Sequence, residues 1–321
     1  MRAVVVTETG PQLRDVPQPE AKAGQVLVKV HANALNRADL AMAAGHLHGA
    51  RGGVGATLGL EWAGEVAAVG QGVSDFAPGD RVMGSGGFAD YVAVPASQVL
   101  RVPDANLSFE QAACFPVALR TMHNALVTAG GLQAGETVLI QGASSGVGIL
   151  GMQIAREMGA ARVFGSSTNA ARRARLAEYG CDLAVDTSDP HWVQEVLDAT
   201  GGKGVDLIVD QVSGGLVTPN MRAAKVLGRI VNVGRLGGQK TEFDADLHAL
   251  RRISYIGVTF RTRTPDEVAE ITRLLLQDLT PALEAGRLSM PIDSVFPLEG
   301  FAEALAKMRA NAHFGKIVLR H

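Results

Sequence analysis

A chain of 321 residues is long enough for two domains, because a single hydrophobic core stops growing at about 250–300 residues. Its 30 Lys and Arg nearly balance 32 Asp and Glu, and no basic run stands out, which argues against nucleic acid as the main ligand. Two cysteines, Cys114 and Cys181, supply neither a disulfide framework nor a C-x-x-C metal site, and no run of about 18 apolar residues predicts a membrane span.

The opening MRAVVVTETG has only a three-valine core and no cleavage pattern, so no signal peptide and a cytoplasmic location are expected. Residues 1–115 then read as β-rich. Short valine-rich runs at Ala3–Val6, Val26–Val30, Glu65–Val69, Arg81–Met83 and Tyr91–Val94 are separated by turn residues such as Gly10-Pro11, Gly70-Gln71-Gly72 and Pro78-Gly79-Asp80. That punctuation predicts a compact barrel or sandwich, with one helix over Asn36–Ala44. At Ser108 the period changes, with an N-cap followed by an acidic first turn.

The stretch Glu136–Ala160 organises the middle of the chain. Thr137–Ile140 is an apolar run of strand length, and Ile149, Met152, Ile154, Ala155 and Met158 recur at helical spacing up to Gly159. Between them lies a turn of small residues, Gly142-Ala143-Ser144-Ser145-Gly146-Val147-Gly148. Strand, glycine turn and helix form a pyrophosphate site, since small side chains admit the phosphate to the amides at the helix N-terminus. The turn departs from the strict G-x-G-x-x-G pattern, so its flanking elements carry much of the assignment.

About 20 residues past the turn, an NAD site places an acid on the ribose 2′-hydroxyl. Here Gly165-Ser166-Ser167-Thr168 offers hydroxyls instead, followed by Arg172 and Arg173. Hydroxyls and a guanidinium fork suit a 2′-phosphate, which predicts NADPH; the competing reading puts both arginines on a solvated helix face. Strands at Val163–Gly165, Leu183–Val185, Leu207–Val209, Ile230–Val233 and Ile253–Val258 alternate with helices at Ala170–Tyr179, Pro190–Ala199 and Leu216–Val226. Such alternation predicts a doubly wound parallel sheet of six strands, with the ligand crevice at the strand C-termini. An amphipathic helix after Thr264, a shorter one over Leu298–Ala310 and a closing strand at Lys316–Leu319 are expected to pack back on the N-terminal region.

Four segments in this order resemble the medium-chain dehydrogenase/reductase superfamily, in its zinc-free quinone oxidoreductase branch. They are Ala34-Leu35-Asn36-Arg37-Ala38-Asp39-Leu40, Gly59-Leu60-Glu61-Trp62-Ala63-Gly64-Glu65-Val66, Ala77-Pro78-Gly79-Asp80-Arg81-Val82 and the glycine turn. The resemblance implies an α/β fold in which a Rossmann domain, 119–259, is inserted in a GroES-like β-rich catalytic domain made of 1–118 and 260–321. It implies an NADPH-dependent reductase of quinones or α,β-unsaturated carbonyls, a small-molecule substrate, no nucleic-acid or membrane partner, and a homodimer. The same likeness covers enoyl-thioester or 2-alkenal reductases and cofactor-binding regulators of negligible turnover.

The zinc-dependent relatives carry Cys and Gly-His-Glu where this chain has Asn36 and Gly59-Leu60-Glu61, and no cysteine-rich lobe is present, so no metal is expected. By resemblance Asn36 and Thr121 stand at the substrate and nicotinamide. The cofactor set is then Gly142, Ser144, Ser145, Gly146, Val147, Gly148, Ser167, Thr168, Arg172, Val233, Gly234, Phe260, Arg261 and Lys316. Leu47 replaces a frequent cleft tyrosine, leaving His46 or His48 as polar substitutes; His123 is expected to pack, and Thr187 replaces a tyrosine near the adenosine.

Overall fold

Six parallel strands form the sheet that positions the site in this computed structural model, which describes residues 1–103 and 107–321. In spatial order they are Leu183–Val185, Arg162–Ser166, Thr137–Gln141, Val205–Asp210, Ala224–Asn232 and Ser254–Gly257. The chain winds outward in both directions from the central pair. The C-terminal ends of Thr137–Gln141 and Val205–Asp210 therefore frame the topological switch point, where a crevice must open.

The strand period of two explains why both faces are covered. Val138 and Ile140 join one core with Met122, Leu150 and Ile154, while Leu139 joins the other with Trp192, Val196 and Met221. Helix Gly146–Glu157 and the long helix Pro265–Glu284 lie on the first side, the latter burying Ile271, Leu275 and Leu279.

A second sheet has the order Ile292–Pro297, Lys316–Arg320, Gln25–Ala34, Trp62–Val69, Arg81–Gly84 and Leu100–Arg101, with Tyr91–Pro95 also pairing to Gln25–Ala34. The closing strand runs antiparallel to Gln25–Ala34, with Val318 opposite Ala34, whereas the helix Pro265–Glu284, expected on the N-terminal region, also packs on helix Gly146–Glu157 of the parallel-sheet side. The consequence for function is direct: Lys316 reaches the cleft from an N-terminal sheet, while the glycine turn reaches it from the parallel sheet.

Local departures have physical reasons. Gly10-Pro11, read as a turn, opens a strand, Gly10–Asp15, antiparallel to Arg2–Thr7; Pro11 is tolerated because it lies in a two-stranded ribbon. The helix expected to reach Val226 stops at Ala223, because Ala224 is already extended and pairs with Val205. The helix over 170–179 splits into Ala170–Ala174 and a tight turn, Leu176–Tyr179, before left-handed Gly180.

Candidate active site between the lobes

The cleft between the two sheets encloses about 1540 Å³ and is lined by 15 of the 16 residues expected at the site. Gly148 alone does not line it. A Cβ there would come within 2.6 Å of the Gly142 carbonyl oxygen and 2.7 Å of the Ala143 Cα. Its place is thus to let the helix close on the turn, and the expectation that it admits phosphate directly is corrected accordingly.

The turn is built from its own small residues. Gly142 sits at φ +72°. The Ser145 hydroxyl donates to the Gly142 carbonyl at 2.9 Å and accepts from the Gly148 N–H at 3.0 Å, capping the helix. Ser145 is also bridged to Gly315, which ties the turn to the closing strand. Among the described residues, the N–H groups of Ser144 and Val147 find no partner. These are open donors at the start of a twelve-residue helix, which fits a dinucleotide pyrophosphate.

Further along, the Ser144 and Ser167 hydroxyls lie 3.0 Å apart, with Thr168 exposed beside them. The two arginines read together from the sequence separate here. Arg173 is tied at 2.8 Å to Asp186 and to the Ser167 carbonyl, whereas among the described residues the Arg172 side chain hydrogen-bonds only to the Asn311 carbonyl. Arg37, from the other lobe, donates to Asn311 Oδ1 at 2.8 Å and to the Met308 carbonyl. Burial and the neighbouring Arg172 lower the Arg37 pKa. Burial, with Arg37 and Arg172, also pushes His313 down to about 4. Arg37 and Arg172 thus set two like charges beside a histidine that burial and their field keep neutral.

At the centre lies a buried ionic network. Glu61 is 0% exposed and Lys316 3% exposed. The Lys316 ammonium donates to Glu61 Oε1, to Asn36 Oδ1 at 2.8 Å and to the Leu35 carbonyl at 3.3 Å. Asn36 Nδ2 donates to the same Glu61 Oε1 at 2.8 Å, and the Val117 N–H reaches Glu61 Oε2 at 2.9 Å from a helix start. The carboxylate is therefore fully partnered, as a buried charge requires. Asp39 accepts from the Asn36 N–H at 2.6 Å while its other oxygen has no partner among the described residues; burial raises its pKa to about 7 against the smaller pull of that hydrogen bond and of Lys316. Asn36 does stand at the cleft, but its amide is spent on Glu61 and Lys316. Gly146 has a second task here, since a Cβ would lie 3.1 Å from the Lys316 stem.

Thr121 lines the cleft, and its hydroxyl makes no hydrogen bond to the described residues, which leaves it free for a ligand. Val233, Gly234 and Phe260 form the adjoining wall. Arg261 sits beside the hairpin Leu47–His48/Arg51–Gly52, because a Cβ on Gly49 would lie 2.5 Å from the Arg261 carbonyl oxygen. Of the two polar substitutes for Leu47, His48 lines the cleft; Leu47 itself is 70% exposed and turned away. Burial, then Arg261 and Arg51, lower the His48 pKa. His123 is buried outside the cleft, 2.7 Å from Asp278, and Thr187 lines it.

Sequence reasoning missed Arg37, Arg51 and Arg120. Only Arg120 left a signal: a charge beside Leu119 on a helix that also carries Pro116, Val117, Ala118 and Met122, where a buried cation needs a reason.

Two family models match the chain: an alcohol dehydrogenase GroES-like domain over residues 22–104 and a zinc-binding dehydrogenase domain over 146–277. Human quinone oxidoreductase is 30% identical over 99% of this chain and 97% of its own length. The rat synaptic vesicle membrane protein VAT-1 homolog is 31% identical over 96% of this chain and 80% of its own length. Among solved structures, an alcohol dehydrogenase superfamily protein from Novosphingobium aromaticivorans aligns with a TM-score of 0.90 and 30% identity, covering 100% of this chain and 99% of that one. A mycobacterial protein solved in complex with NADPH aligns at 0.85 with 25% identity, over 100% of both chains. Fold, segment order and these relatives agree: the chain belongs to the medium-chain dehydrogenase/reductase superfamily, within its quinone oxidoreductase branch.

Proposed function

We propose that this protein is an NADPH-dependent reductase that delivers a hydride to quinones or α,β-unsaturated carbonyls without a metal. The observation that carries this reading is the cleft itself. Its lining holds eight Arg and Lys side chains and no Asp or Glu, in a chain of formal charge −2. A polyanionic dinucleotide is the ligand such a surface selects, and the open amides of the glycine turn give it an anchor.

When bound, NADPH supplies a hydride, two electrons, which adds to the electrophilic carbon while solvent supplies the proton that completes reduction. The chain's own residues hold and orient. The amides of Ser144 and Val147 bind pyrophosphate. Ser167, Thr168, Arg172 and Arg37 surround the 2′-phosphate, where the bidentate fork of arginine suits the anion. Val233, Gly234 and Phe260 flank the nicotinamide, and the free Thr121 hydroxyl orients it or the substrate carbonyl. Asn36 acts by keeping Glu61 and Lys316 in register behind that surface.

Zinc independence is supported by the donor set. Among the described residues no group of three His, Cys, Asp or Glu side chains stands together. Near the network, Cys114 is fully buried, and burial drives its thiol pKa upward, away from the thiolate a metal needs. The charge that could balance Glu61 is already there as Lys316. We also propose a homodimer, through the free edge of strand Ser254–Gly257 beside exposed Leu250 and Phe243, and a cytoplasmic location. Among the described residues no helix is long and apolar enough to cross a membrane.

The test is NADPH oxidation against a panel of quinones, enones and enoyl thioesters, repeated after incubation with a strong chelator. Turnover of a quinone or enone that survives chelation supports the reading. Turnover of enoyl thioesters alone would move the protein to that substrate class, and binding of NADPH without oxidation would make it a regulator.

A further inference from the structure

Five of the eight cleft cations fall into two groups, and the nucleotide accounts for only one. Arg37 and Arg172 act together on His313 at the 308–313 segment. At the far end Arg51 and Arg120 meet at Ser85: Arg120 donates to the Ser85 hydroxyl at 2.9 Å, and Arg51 lies 3.4 Å from the Ser85 carbonyl. Arg261 stands over the same hairpin through its contact with Gly49.

Arg120 is the informative member. It is 3% exposed, yet its partners are neutral: the Thr272 hydroxyl at 3.0 Å, the Ser85 hydroxyl and the Gln98 carbonyl. A guanidinium has five N–H donors, so three of these bonds leave two donors over. The carboxylate nearest in effect, Glu61, is held by Lys316. Burial, then repulsion from Arg51, lowers the Arg120 pKa to about 10. Arg51 is open to the cleft water, but the protein around it still lowers its pKa by desolvation. No carboxylate of the described residues pairs with Arg51, Arg120 or Arg261. A buried cation with neutral partners beside a second cation is unfavourable alone and becomes favourable only with an anion between them.

We propose that the substrate bears a carboxylate, received by Arg51 and Arg120 with Arg261 at the mouth, while its reducible double bond lies toward Thr121. This rests on the reductase reading and names its substrate class. The cofactor phosphates are engaged at the other end, and the two free N–H groups of Arg120 match a carboxylate better than a neutral carbonyl. The bound acid undergoes the same reduction: hydride to one alkene carbon, proton to the other, with the carboxylate unchanged.

The test is a matched pair, 4-oxopent-2-enoic acid and its methyl ester, assayed by NADPH oxidation with the full-length protein. The acid should exceed the ester in kcat/KM by about tenfold or more, the worth of a charge-assisted hydrogen bond. Arg51→Gln should bring that ratio near one and Arg51→Lys should restore part of it. A merely structural arginine would lower both substrates together and leave the ratio fixed. Arg120→Gln should act the same way; if it does not fold, the Arg51 pair still decides. Equal or better turnover of the ester overturns the carboxylate and leaves the reductase reading standing. If neither is reduced, binding of the inert saturated acid 4-oxopentanoate to the NADPH-loaded protein decides: binding lost in Arg51→Gln keeps the anion site, and no binding removes it.

Discussion

Replacing Lys316 with methionine tests whether a buried charge network ties the closing strand to the N-terminal segments around Asn36 and Glu61. The substitution keeps the length of the stem but removes the ammonium from Glu61, Asn36 and the Leu35 carbonyl. Glu61, with no exposure to solvent, then retains only the Asn36 amide and the Val117 N–H. Breaking one side of a buried pair costs about 3–5 kcal/mol, because the remaining charge stays desolvated. On a chain of this length that is a fall of roughly 5–10 °C in the unfolding midpoint. Pairing Lys316→Met with Glu61→Gln removes both charges and should recover more than half of the loss, measured by thermal unfolding at several pH values. A single mutant that melts within about 1 °C of the wild type throughout would refute the network.

Other substitutions probe the same geometry. Asp39→Asn keeps an acceptor for the Asn36 N–H but removes a carboxyl whose pKa is raised to about 7; the folded wild type binds the extra proton, so its stability falls as pH rises from about 4 to 7, and the variant's melting profile should lose that slope. Gly148→Val forces a side chain into the Gly142–Ala143 backbone, so the melting temperature should fall together with NADPH affinity; lost affinity at unchanged stability would restore the direct phosphate role. Arg172→Ala and Arg37→Ala should each weaken NADPH by about tenfold while leaving NADH little changed, in a fluorescence titration. Equal losses for both dinucleotides would place those arginines away from the 2′-phosphate.

The fold was legible because its signals are local and repeated. Thr137–Ile140, the small-residue turn and the apolar spacing up to Met158 give strand, turn and helix with few alternatives, and the alternation afterwards repeats the unit. The edges of elements were less legible: whether Ala224–Leu227 is helix or strand depends on a bulged pairing with Val205 that no local pattern encodes. In the site, the residues of the glycine turn announce themselves by size, so most of the cleft wall on that side could be read in order. What sequence order hides is convergence. Glu61, Lys316 and Asn36 are hydrogen-bonded although 255 residues separate two of them, and Arg37 and Arg172 approach the same Asn311 from different lobes. Nothing within a window of neighbours distinguishes Arg51 on its exposed hairpin from a solvated surface arginine. Gly148 shows the converse: the motif located it, but only the 2.6 Å approach to Gly142 reveals that it serves packing.

The most direct measurement is equilibrium binding of NADPH and NADH to the purified wild-type protein, followed by nicotinamide fluorescence at fixed ionic strength. Open amides at the turn, hydroxyls where an acid would hold an NAD ribose, and the Arg37–Arg172 pair predict saturable binding with NADPH at least about tenfold tighter. Equal affinities, or no binding of either, would contradict it.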